Sequence, residues 1–204
     1  MIEHDGHWYP FMNEVAKHNL GLGNDFGQCY ALIKDYTVAI DGGAQVGRVA
    51  NRLASMFEKV YAIELAEENF DCLVKNALPN VTPIHACLFE AGGWGFGYEP
   101  DKHPDSPVYR AAYNDNAAMS LAIDELALPT CGFIKLDLQG FDYFALKGAV
   151  ETIKRCKPVI YFEYDPSCFE RYGIHKDASQ IFLESLGYIF HGSDDGNQLW
   201  SSST

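Results

Sequence analysis

Four acidic residues, each at the end of an apolar run, are the side chains of this protein best placed for chemistry: Asp41, Glu64, Asp137 and Glu163. A carboxylate at such a position can accept hydrogen bonds from hydroxyl groups, face a positive charge or take up a proton. In an open parallel sheet, ligands bind beyond the carboxyl ends of the strands. One such acid could be a helix cap or turn residue, but four of them predict a ligand site.

A glycine-rich turn follows the first of these acids. The segment reads Val38-Ala39-Ile40-Asp41-Gly42-Gly43-Ala44-Gln45-Val46-Gly47, and an amphipathic stretch comes next at residues 48–57. This order predicts a strand, a tight turn and a helix, as at the cofactor site of a parallel α/β fold. Glycine lets the backbone approach a ligand closely. The acid at the strand end suits S-adenosylmethionine, which carries an ammonium and a sulfonium.

The spacing of this turn argues against a dinucleotide. A dinucleotide-binding turn has the pattern G-x-G-x-x-G, with its second glycine facing the pyrophosphate. Aligned from Gly42, that position holds Ala44, and a pyrophosphate would meet Asp41 as a like charge. The remaining alternative is a strand–helix turn that uses glycine for packing alone.

Length and composition limit the class of protein. At 204 residues and 48% apolar, the chain is expected to form one domain over residues 1–204. Its net charge of −13 and the lack of any Lys/Arg cluster argue against nucleic acid and against an anionic membrane surface. A small neutral acceptor fits better, although solubility alone can explain the acidity.

Six scattered cysteines without a CxxC motif indicate reduced thiols, and so a cytoplasmic protein. Residues 1–19 contain no apolar signal region, and no apolar run is long enough to span a membrane. Acids and histidines near the N-terminus show no metal-site spacing, and no metal is expected.

Strand and helix patterns alternate five times, and a hairpin closes the chain. Continuous apolar strands predict an α/β fold whose sheet is covered on both faces. Strands are predicted at residues 38–41, 59–64, 81–88, 131–138 and 158–164, helices at 48–57, 67–77, 120–128, 142–154 and 177–186, and hairpin strands at 188–191 and 198–200.

Two segments lack a regular pattern. Residues 1–24 are interpreted as a cap over the sheet or the site. Residues 92–112 are rich in glycine, proline and aromatic residues, and are interpreted as a long substrate-facing loop. Aromatic rings in this loop could stack on sugars, and His103 could act as a base if the loop covers the site. A merely exposed His103 is the alternative.

Glu64 lies 23 residues after Asp41, where an acid meets ribose hydroxyls in nucleoside-binding α/β folds. A carboxylate can accept hydrogen bonds from both vicinal hydroxyls at once. Leu65 follows this acid directly. Cys87 and Leu88, after the third strand, would lie near the adenine or would simply pack in the core.

Several motifs, in order, resemble the FkbM family of S-adenosylmethionine-dependent methyltransferases over about residues 36–200. The segment from Phe133 to Ala149 is the most specific of them. They are Asp41–Gly47, Tyr61–Glu64, Asn76, Ile123–Leu126, Phe133–Asp142, Leu146–Ala149 and Lys157–Glu163.

The resemblance implies the class I methyltransferase fold, a Rossmann-like three-layer sandwich with a mostly parallel seven-stranded sheet and a C-terminal antiparallel hairpin. It implies methylation of hydroxyl oxygens on sugars or natural products. Four residues depart from the family pattern: Gln45 replaces Asn, Leu65 replaces Pro, Gln139 replaces Glu, and Asp142 stands where Glu is frequent. Gln139 removes a charge and shifts any acid–base role toward Asp137.

The candidate cofactor residues are therefore Asp41, Gly42, Gly43, Ala44, Gln45, Gly47, Glu64, Leu65 and Cys87. Asp137 is the candidate base, and a cofactor-positioning or helix-capping role is its alternative. Glu163 is the second catalytic candidate, as a base or as a ligand of acceptor hydroxyls. Lys135 lies on the same side of its strand as Asp137 and is expected to pair with an acid.

Three functions remain open on sequence alone. The first is an O-methyltransferase acting on a carbohydrate or small hydroxyl compound with S-adenosylmethionine. The second is a nicotinamide-dependent oxidoreductase or epimerase, which Ala44 and Asp41 argue against. The third is a non-catalytic partner protein, which only Gln139 favours.

Overall fold

The computed structural model describes residues 1–4, 6–10, 26–100, 109–114, 118–194 and 196–203, and only the backbone of residues 98–100 and 109–110. In this part of the chain the strands are β1 (Ile2–His4), β2 (His7–Tyr9), β3 (Val38–Gly42), β4 (Lys59–Glu64), β5 (Val81–His85), β6 (Cys87–Leu88), β7 (Gly95–Pro100), β8 (Tyr109–Tyr113), β9 (Ala118–Leu121), β10 (Phe133–Leu136), β11 (Val159–Glu163), β12 (Tyr188–Asp194) and β13 (Asn197–Ser202).

Seven of these strands form the main sheet, in the order β12-β13-β11-β10-β3-β4-β5. The five strands from β11 to β5 are parallel, and β13 runs antiparallel to both of its neighbours. The chain proceeds from β3 toward one edge and later from β10 toward the other. The carboxyl ends of β3 and β10 therefore flank the point where strand order reverses, which is where open α/β sheets bind ligands.

Helices cover both faces of this sheet. They are α1 (Gly27–Tyr30), α2 (Arg48–Ala54), α3 (Glu67–Asn76), α4 (Asp142–Lys147), α5 (Val150–Cys156), α6 (Pro166–Glu170) and α7 (Ala178–Ser185). Successive strand residues alternate between the faces, so Ile40 and Ile134 join one core while Ala39 and Phe133 join the other. The first core packs against α4, α5 and α7, and the second against α1, α2 and α3. The three-layer α/β fold expected from the sequence is confirmed.

The segment 92–112 differs from the prediction of an irregular loop. It contributes β7 and β8 to a second sheet of order β6-β9-β7-β8. Its glycines and aromatic residues obscured the alternation that marks strands, because both faces of a small sheet are only partly buried. Phe96 is buried, while Trp94 is 53% exposed. His103, and the side chains of Tyr98, Tyr109 and Arg110, lie outside the described part of the structure.

Two predicted helices also need correction. Residues 120–128 form the end of β9 and a single 3₁₀ turn, Ile123–Leu126, rather than a helix. Residues 142–154 form two short helices, α4 and α5, instead of one. The break falls at Gly148, where any Cβ would overlap the carbonyl oxygen of Phe89, so this position requires glycine.

The N-terminal segment contains a small hairpin of β1 and β2, while residues 5 and 11–24 of the predicted cap 1–24 lie outside the described residues. The C-terminal hairpin of β12 and β13 is confirmed and is longer than predicted, with a bulge between Phe190 and Gly192. Within the described ranges, no helix has the length and apolar composition needed to cross a lipid bilayer.

Candidate active site

The glycine turn, residues 42–47, is held between the ends of β4 and β10. The N–H groups of Gly43 and Ala44 both donate to the carbonyl oxygen of Ile63 at 3.0 Å. Gly43 has a φ of +74°, and a Cβ there would overlap the carbonyl oxygen of Asp137. Glycine is therefore required at this position, and it brings the turn into direct contact with the end of β10.

Glu64 fixes the same turn from the end of β4. Its Oε2 accepts from the N–H of Gln45, and its Oε1 from the N–H of Ala66, both at 2.8 Å. Burial raises the pKa of Glu64, and these two hydrogen bonds oppose the rise. A carboxylate offers about four acceptor sites, and here it accepts from two backbone donors and from the side chain of Asn69. The remaining acceptor capacity is chemically suited to the hydroxyls of a ribose.

Asp41 faces a cation of the protein itself. Its register partner across β3 and β10 is Lys135, whose Nζ lies 3.1 Å from Asp41 Oδ1. Both side chains are buried, and among the described residues no group makes an aligned hydrogen bond to the Asp41 carboxylate. The contact is thus an ion pair, which confirms that the buried lysine pairs with an acid. With its carboxylate fully buried, Asp41 acts on the turn through Lys135.

Lys135 joins this ion pair to the turn. Its Nζ also donates to the carbonyl oxygens of Gly43 at 3.2 Å and Gly42 at 3.4 Å, and lies 3.8 Å from Asp137 Oδ2. Burial alone would lower the pKa of Lys135, but the charges of Asp41 and Asp137 outweigh it and hold the pKa above its ordinary value. The ammonium therefore stays charged and anchors two strand ends at once.

The two candidate catalytic acids lie on either side of Gln139. Gln139 Nε2 donates to Asp137 Oδ1 at 3.0 Å and to Glu163 Oε2 at 3.1 Å. The Asp137 side chain is 39% exposed, and its backbone N–H donates to the carbonyl oxygen of Gly42 at 3.0 Å. The structure thus brings both predicted acids together, with Asp137 directly beside the glycine turn. Burial and the charge of Asp137 raise the pKa of Glu163 to about 8.

Asp142 is a further acid of this cluster. In the sequence it stands only as a position where the family frequently has Glu, without an assigned role in the site. It is fully buried and accepts from the N–H of Leu138 at 3.3 Å and of Gly140 at 3.2 Å. Burial, followed by the charge of Asp137, raises the pKa of Asp142 to about 7. Through these two hydrogen bonds, Asp142 fixes the conformation of the loop after β10. Its signal in the sequence was the pattern Asp137-Leu138-Gln139-Gly140-Phe141-Asp142 itself.

The other predicted cofactor residues surround the turn at different depths. Ala44 is buried and Gln45 is exposed at its tip, while Gly47, with a φ of +91°, precedes α2. Cys87 is buried against Phe96 and Phe141, and burial raises the pKa of its thiol to about 12. Both readings of Cys87, packing and adenine contact, are compatible with this place.

Asn76, one of the motif residues that resemble the family, supports the turn through contacts that the sequence did not predict. Asn76, at the end of α3, accepts from the N–H of Trp8 at 2.7 Å, and its Nδ2 donates to the carbonyl oxygens of Trp8 at 2.9 Å and Val46 at 2.8 Å. Lys75 lies over the Trp8 ring at 4.4 Å. The N-terminal hairpin is thus fastened to the glycine turn, through contacts between residues far apart in the chain that no local pattern shows.

The donor set of this edge fits S-adenosylmethionine. Carboxylates suit its hydroxyl and ammonium groups, the glycine turn gives close backbone approach, and Asp137 adds an acid that solvent can reach. Among the described residues, no group of three or more His, Cys, Asp or Glu side chains has the arrangement of a metal site.

Known structures share this fold at low sequence identity. An FkbM methyltransferase from Methylobacillus flagellatus KT superposes with a TM-score of 0.54 and 17% identity, over 82% of this chain but only 43% of that chain. A TehB-like SAM-dependent methyltransferase from Corynebacterium glutamicum gives a TM-score of 0.52 and 12% identity, over 94% and 95%. A candidate methyltransferase from Streptococcus mutans, solved with S-adenosylhomocysteine, gives 0.54 and 12%, over 88% and 98%.

This chain therefore spans less than half the length of the structurally similar FkbM methyltransferase. No curated protein matches it significantly. The family model of the methyltransferase FkbM domain, however, matches residues 10–190, which is most of the chain. With the glycine turn, the strand-end acids and the loop after β10 all inside that match, the chain belongs to the FkbM family of methyltransferases, with S-adenosylmethionine as its cofactor.

Proposed function

We propose that this chain transfers a methyl group from S-adenosylmethionine to a hydroxyl oxygen of a sugar, a glycan or another small metabolite. The observation that carries the proposal is the half-exposed carboxylate of Asp137, placed beside the glycine turn by its own backbone hydrogen bond to Gly42. A hydroxyl group is a weak nucleophile until a base takes its proton. Asp137 can supply that base next to the cofactor.

The cofactor would be held by the turn and by the acid at the end of β4. When bound, S-adenosylmethionine supplies a methyl carbon that its sulfonium makes electrophilic. Glu64 would accept hydrogen bonds from the ribose hydroxyls, and Asp41 would fix the turn through Lys135. The backbone of the turn would complete the site, together with one side chain after β4 and one after β5. The turn residues are Gly42, Gly43, Ala44, Gln45 and Gly47, and the two side chains are those of Leu65 and Cys87.

Glu163 would have a different role from Asp137. Because its pKa is raised to about 8, it holds a proton through most of the neutral range. A protonated carboxyl group donates a hydrogen bond and is a poor base. We therefore assign proton uptake to Asp137 and binding of the acceptor hydroxyl to Glu163.

The acceptor is proposed to be neutral. The solvent-reachable carboxylate of Asp137 stands at this edge of a chain with net charge −13, so an anionic acceptor would be repelled. Trp94, directly before β7, and Tyr113, at the end of β8, are 53% and 61% exposed, and their ring centroids lie 6.3 Å apart. Exposed aromatic faces of this kind stack on sugar rings.

We also propose how the chain is organised and where it acts. Residues 1–204 would act as a single domain, with residues 1–24 as its cap and 92–112 as the part that faces the acceptor. The six cysteines form no disulfide in the described part of the chain, which fits a reducing compartment, and we propose a cytoplasmic location.

Calorimetric titration with S-adenosylmethionine, S-adenosylhomocysteine and NAD tests the cofactor site. The first two should bind and NAD should not, and Glu64→Gln should weaken binding about 10- to 100-fold because a charge-assisted hydrogen bond is lost. Glu68→Gln, an exposed change in α3, should bind like the unaltered protein. Binding of NAD alone would favour the oxidoreductase, and binding of none of the three would favour the partner protein.

Transfer of a labelled methyl group to a panel of neutral sugars then tests the reaction. On any acceptor that is methylated, Asp137→Asn should lower kcat at least about 100-fold while the affinity for S-adenosylmethionine stays unchanged. An unaltered kcat in Asp137→Asn would remove this residue from the reaction.

A further inference from the structure

Gln139 occupies an unusual position between the two catalytic candidates. Its backbone is left-handed, with a φ of +56°, which is uncommon for a residue other than glycine. Its amide nitrogen lies 3.0 Å from Asp137 Oδ1 and 3.1 Å from Glu163 Oε2, with Glu163 Oε1 at 3.4 Å. One side chain thus contacts two carboxylates that come from the ends of two neighbouring strands, β10 and β11.

The chemistry of the amide decides what this contact does. In the described part of the chain, the three oxygens that accept from Gln139 Nε2 all belong to carboxylates. The nitrogen is therefore assigned to this side of the amide, because the amide oxygen would meet only acceptors there. An amide nitrogen carries two N–H bonds about 120° apart, one for each carboxylate. Acceptors placed along two such bonds lie about 5 Å from each other.

Asp137 is held from both of its oxygens. Gln139 donates to Oδ1, and the ammonium of Lys135 lies 3.8 Å from Oδ2. Among the described residues, the only cation that acts on Glu163 is Lys135, and its effect is smaller than those of the neighbouring acids. The charged and titratable groups that face it are Asp137, Asp142, Asp165, Cys168 and, more distantly, Lys135.

We propose that Gln139 is a positioning residue, which joins the carboxylates of Asp137 and Glu163 into one pair of fixed separation. The inference rests on the proposed function, which assigns Asp137 and Glu163 to the acceptor hydroxyl. A neutral amide with two donors is suited to the task, since it stabilises the ionised form of each carboxylate and adds no charge. A carboxylate at residue 139 would instead add a third negative group.

The contacts of Gln139 with Asp137 and Glu163 explain the strained backbone of residue 139. A non-glycine residue with positive φ costs about 1–2 kcal/mol and persists where its surroundings require it. The left-handed turn at Gln139 and the following Gly140, with a φ of +91°, reverse the chain after β10. That reversal points the side chain of residue 139 back toward Asp137 and across to Glu163.

Titration of the Glu163 carboxyl group by ¹³C NMR tests the proposal on the whole chain without cofactor or acceptor. The signal is assigned with Glu163→Gln. In Gln139→Gly the pKa of Glu163 should rise by about one pH unit, because its ionised form loses a donor, and in Gln139→Glu it should rise further. Gln28→Ala, an exposed change in α1, is the control and should leave the titration unaltered.

Gln139→Gly separates positioning from general stability. Glycine adopts the left-handed backbone without strain. The substitution should therefore not lower the urea concentration at the midpoint of unfolding through any change in the backbone. Gln139→Asn, which also tolerates this backbone but is too short to reach both acids, serves as the second variant. A Glu163 titration that is the same in the unaltered protein and in both variants would overturn the proposal.

The affinity for S-adenosylmethionine distinguishes the two proposals. It should stay within about threefold in Gln139→Gly, because the amide faces the acids and not the glycine turn. If the cofactor binds but the Glu163 titration does not respond to residue 139, the pairing fails and the proposed function stands. If the titration responds and no cofactor binds, the proposed function fails and the pairing stands.

Discussion

Lys135 and Asp41 show how a single buried pair shapes the site. Both side chains are almost fully buried, and their charges meet at 3.1 Å. Removing two ions from water costs several kcal/mol for each, which only close attraction and further hydrogen bonds can offset. Here the carbonyl oxygens of Gly42 and Gly43 supply those hydrogen bonds. The ion pair therefore connects the glycine turn to β10, and the stability of this connection depends on both partners.

Removing one partner of the Lys135–Asp41 ion pair should destabilise the fold strongly, and removing both should destabilise it only slightly. Lys135→Met leaves the Asp41 carboxylate buried without a counter-charge and should lower the free energy of unfolding by about 3–5 kcal/mol. The double variant Lys135→Met/Asp41→Leu should recover most of this loss. Urea denaturation measures all three proteins, with Lys34→Met, on the surface, as the control. A cost below about 1 kcal/mol for the single variant would contradict a buried ion pair.

The elements that build the site are the three strand ends around the glycine turn. The turn lies in contact with the end of β4 through Ile63 and with the end of β10 through Asp137. Its shape depends on Gly43, where positive φ and close packing coincide. Backbone conformation and packing can be separated there, because another glycine has the same φ in open space.

Gly43→Ala and Gly196→Ala form a matched pair. Their φ values are +74° and +78°, but a Cβ at Gly196 meets no atom of the described residues within 4 Å. Gly196→Ala should cost about 1–2 kcal/mol of stability, from the backbone alone. Gly43→Ala should cost clearly more, since the backbone of Asp137 must move, and should weaken S-adenosylmethionine binding. Urea denaturation and calorimetry measure the two effects, and equal costs at both positions would show that the close packing is unimportant.

Across the whole molecule, the excess of acids couples stability to pH. The chain carries a net charge of −13, and the pKa values of Asp142 and Glu163 are raised to about 7 and about 8 from ordinary values of 3.8 and 4.5. Between pH 5 and 7 these two groups keep protons in the folded chain that the unfolded chain has released. Stability therefore falls as pH rises, and this contribution is lost as pH passes through 7 and 8.

The free energy of unfolding should accordingly decrease from pH 5 to pH 8. Each proton kept only in the folded state contributes about 1.4 kcal/mol per pH unit to the slope. Asp142→Asn and Glu163→Gln should each make the slope shallower, while Glu184→Gln, on the surface, should not. Urea denaturation at a series of pH values gives the slopes, and a slope that neither variant changes would show that these acids are ionised in the folded chain.

Local patterns determined much of this protein. The apolar runs, the acids that end them and the glycines after Asp41 are properties of short segments, and they predicted the mostly parallel sheet, the closing hairpin and the position of the site. Lys135 was also predicted to pair with an acid, because alternation along a strand fixes which residues share a side. The ion pair with Asp41 confirms this.

Only the tertiary structure decided the rest, because it depends on contacts between distant parts of the chain. The partner of Lys135 follows from the register of β10 against β3, two strands that are neighbours in the sheet but not in the sequence. The strands within residues 92–112 require pairing across the second sheet. The bridge from Asp137 through Gln139 to Glu163 needs both a left-handed backbone and the adjacent end of β11. The sequence placed acids at the sheet edge, and folding set their separation, burial and pKa.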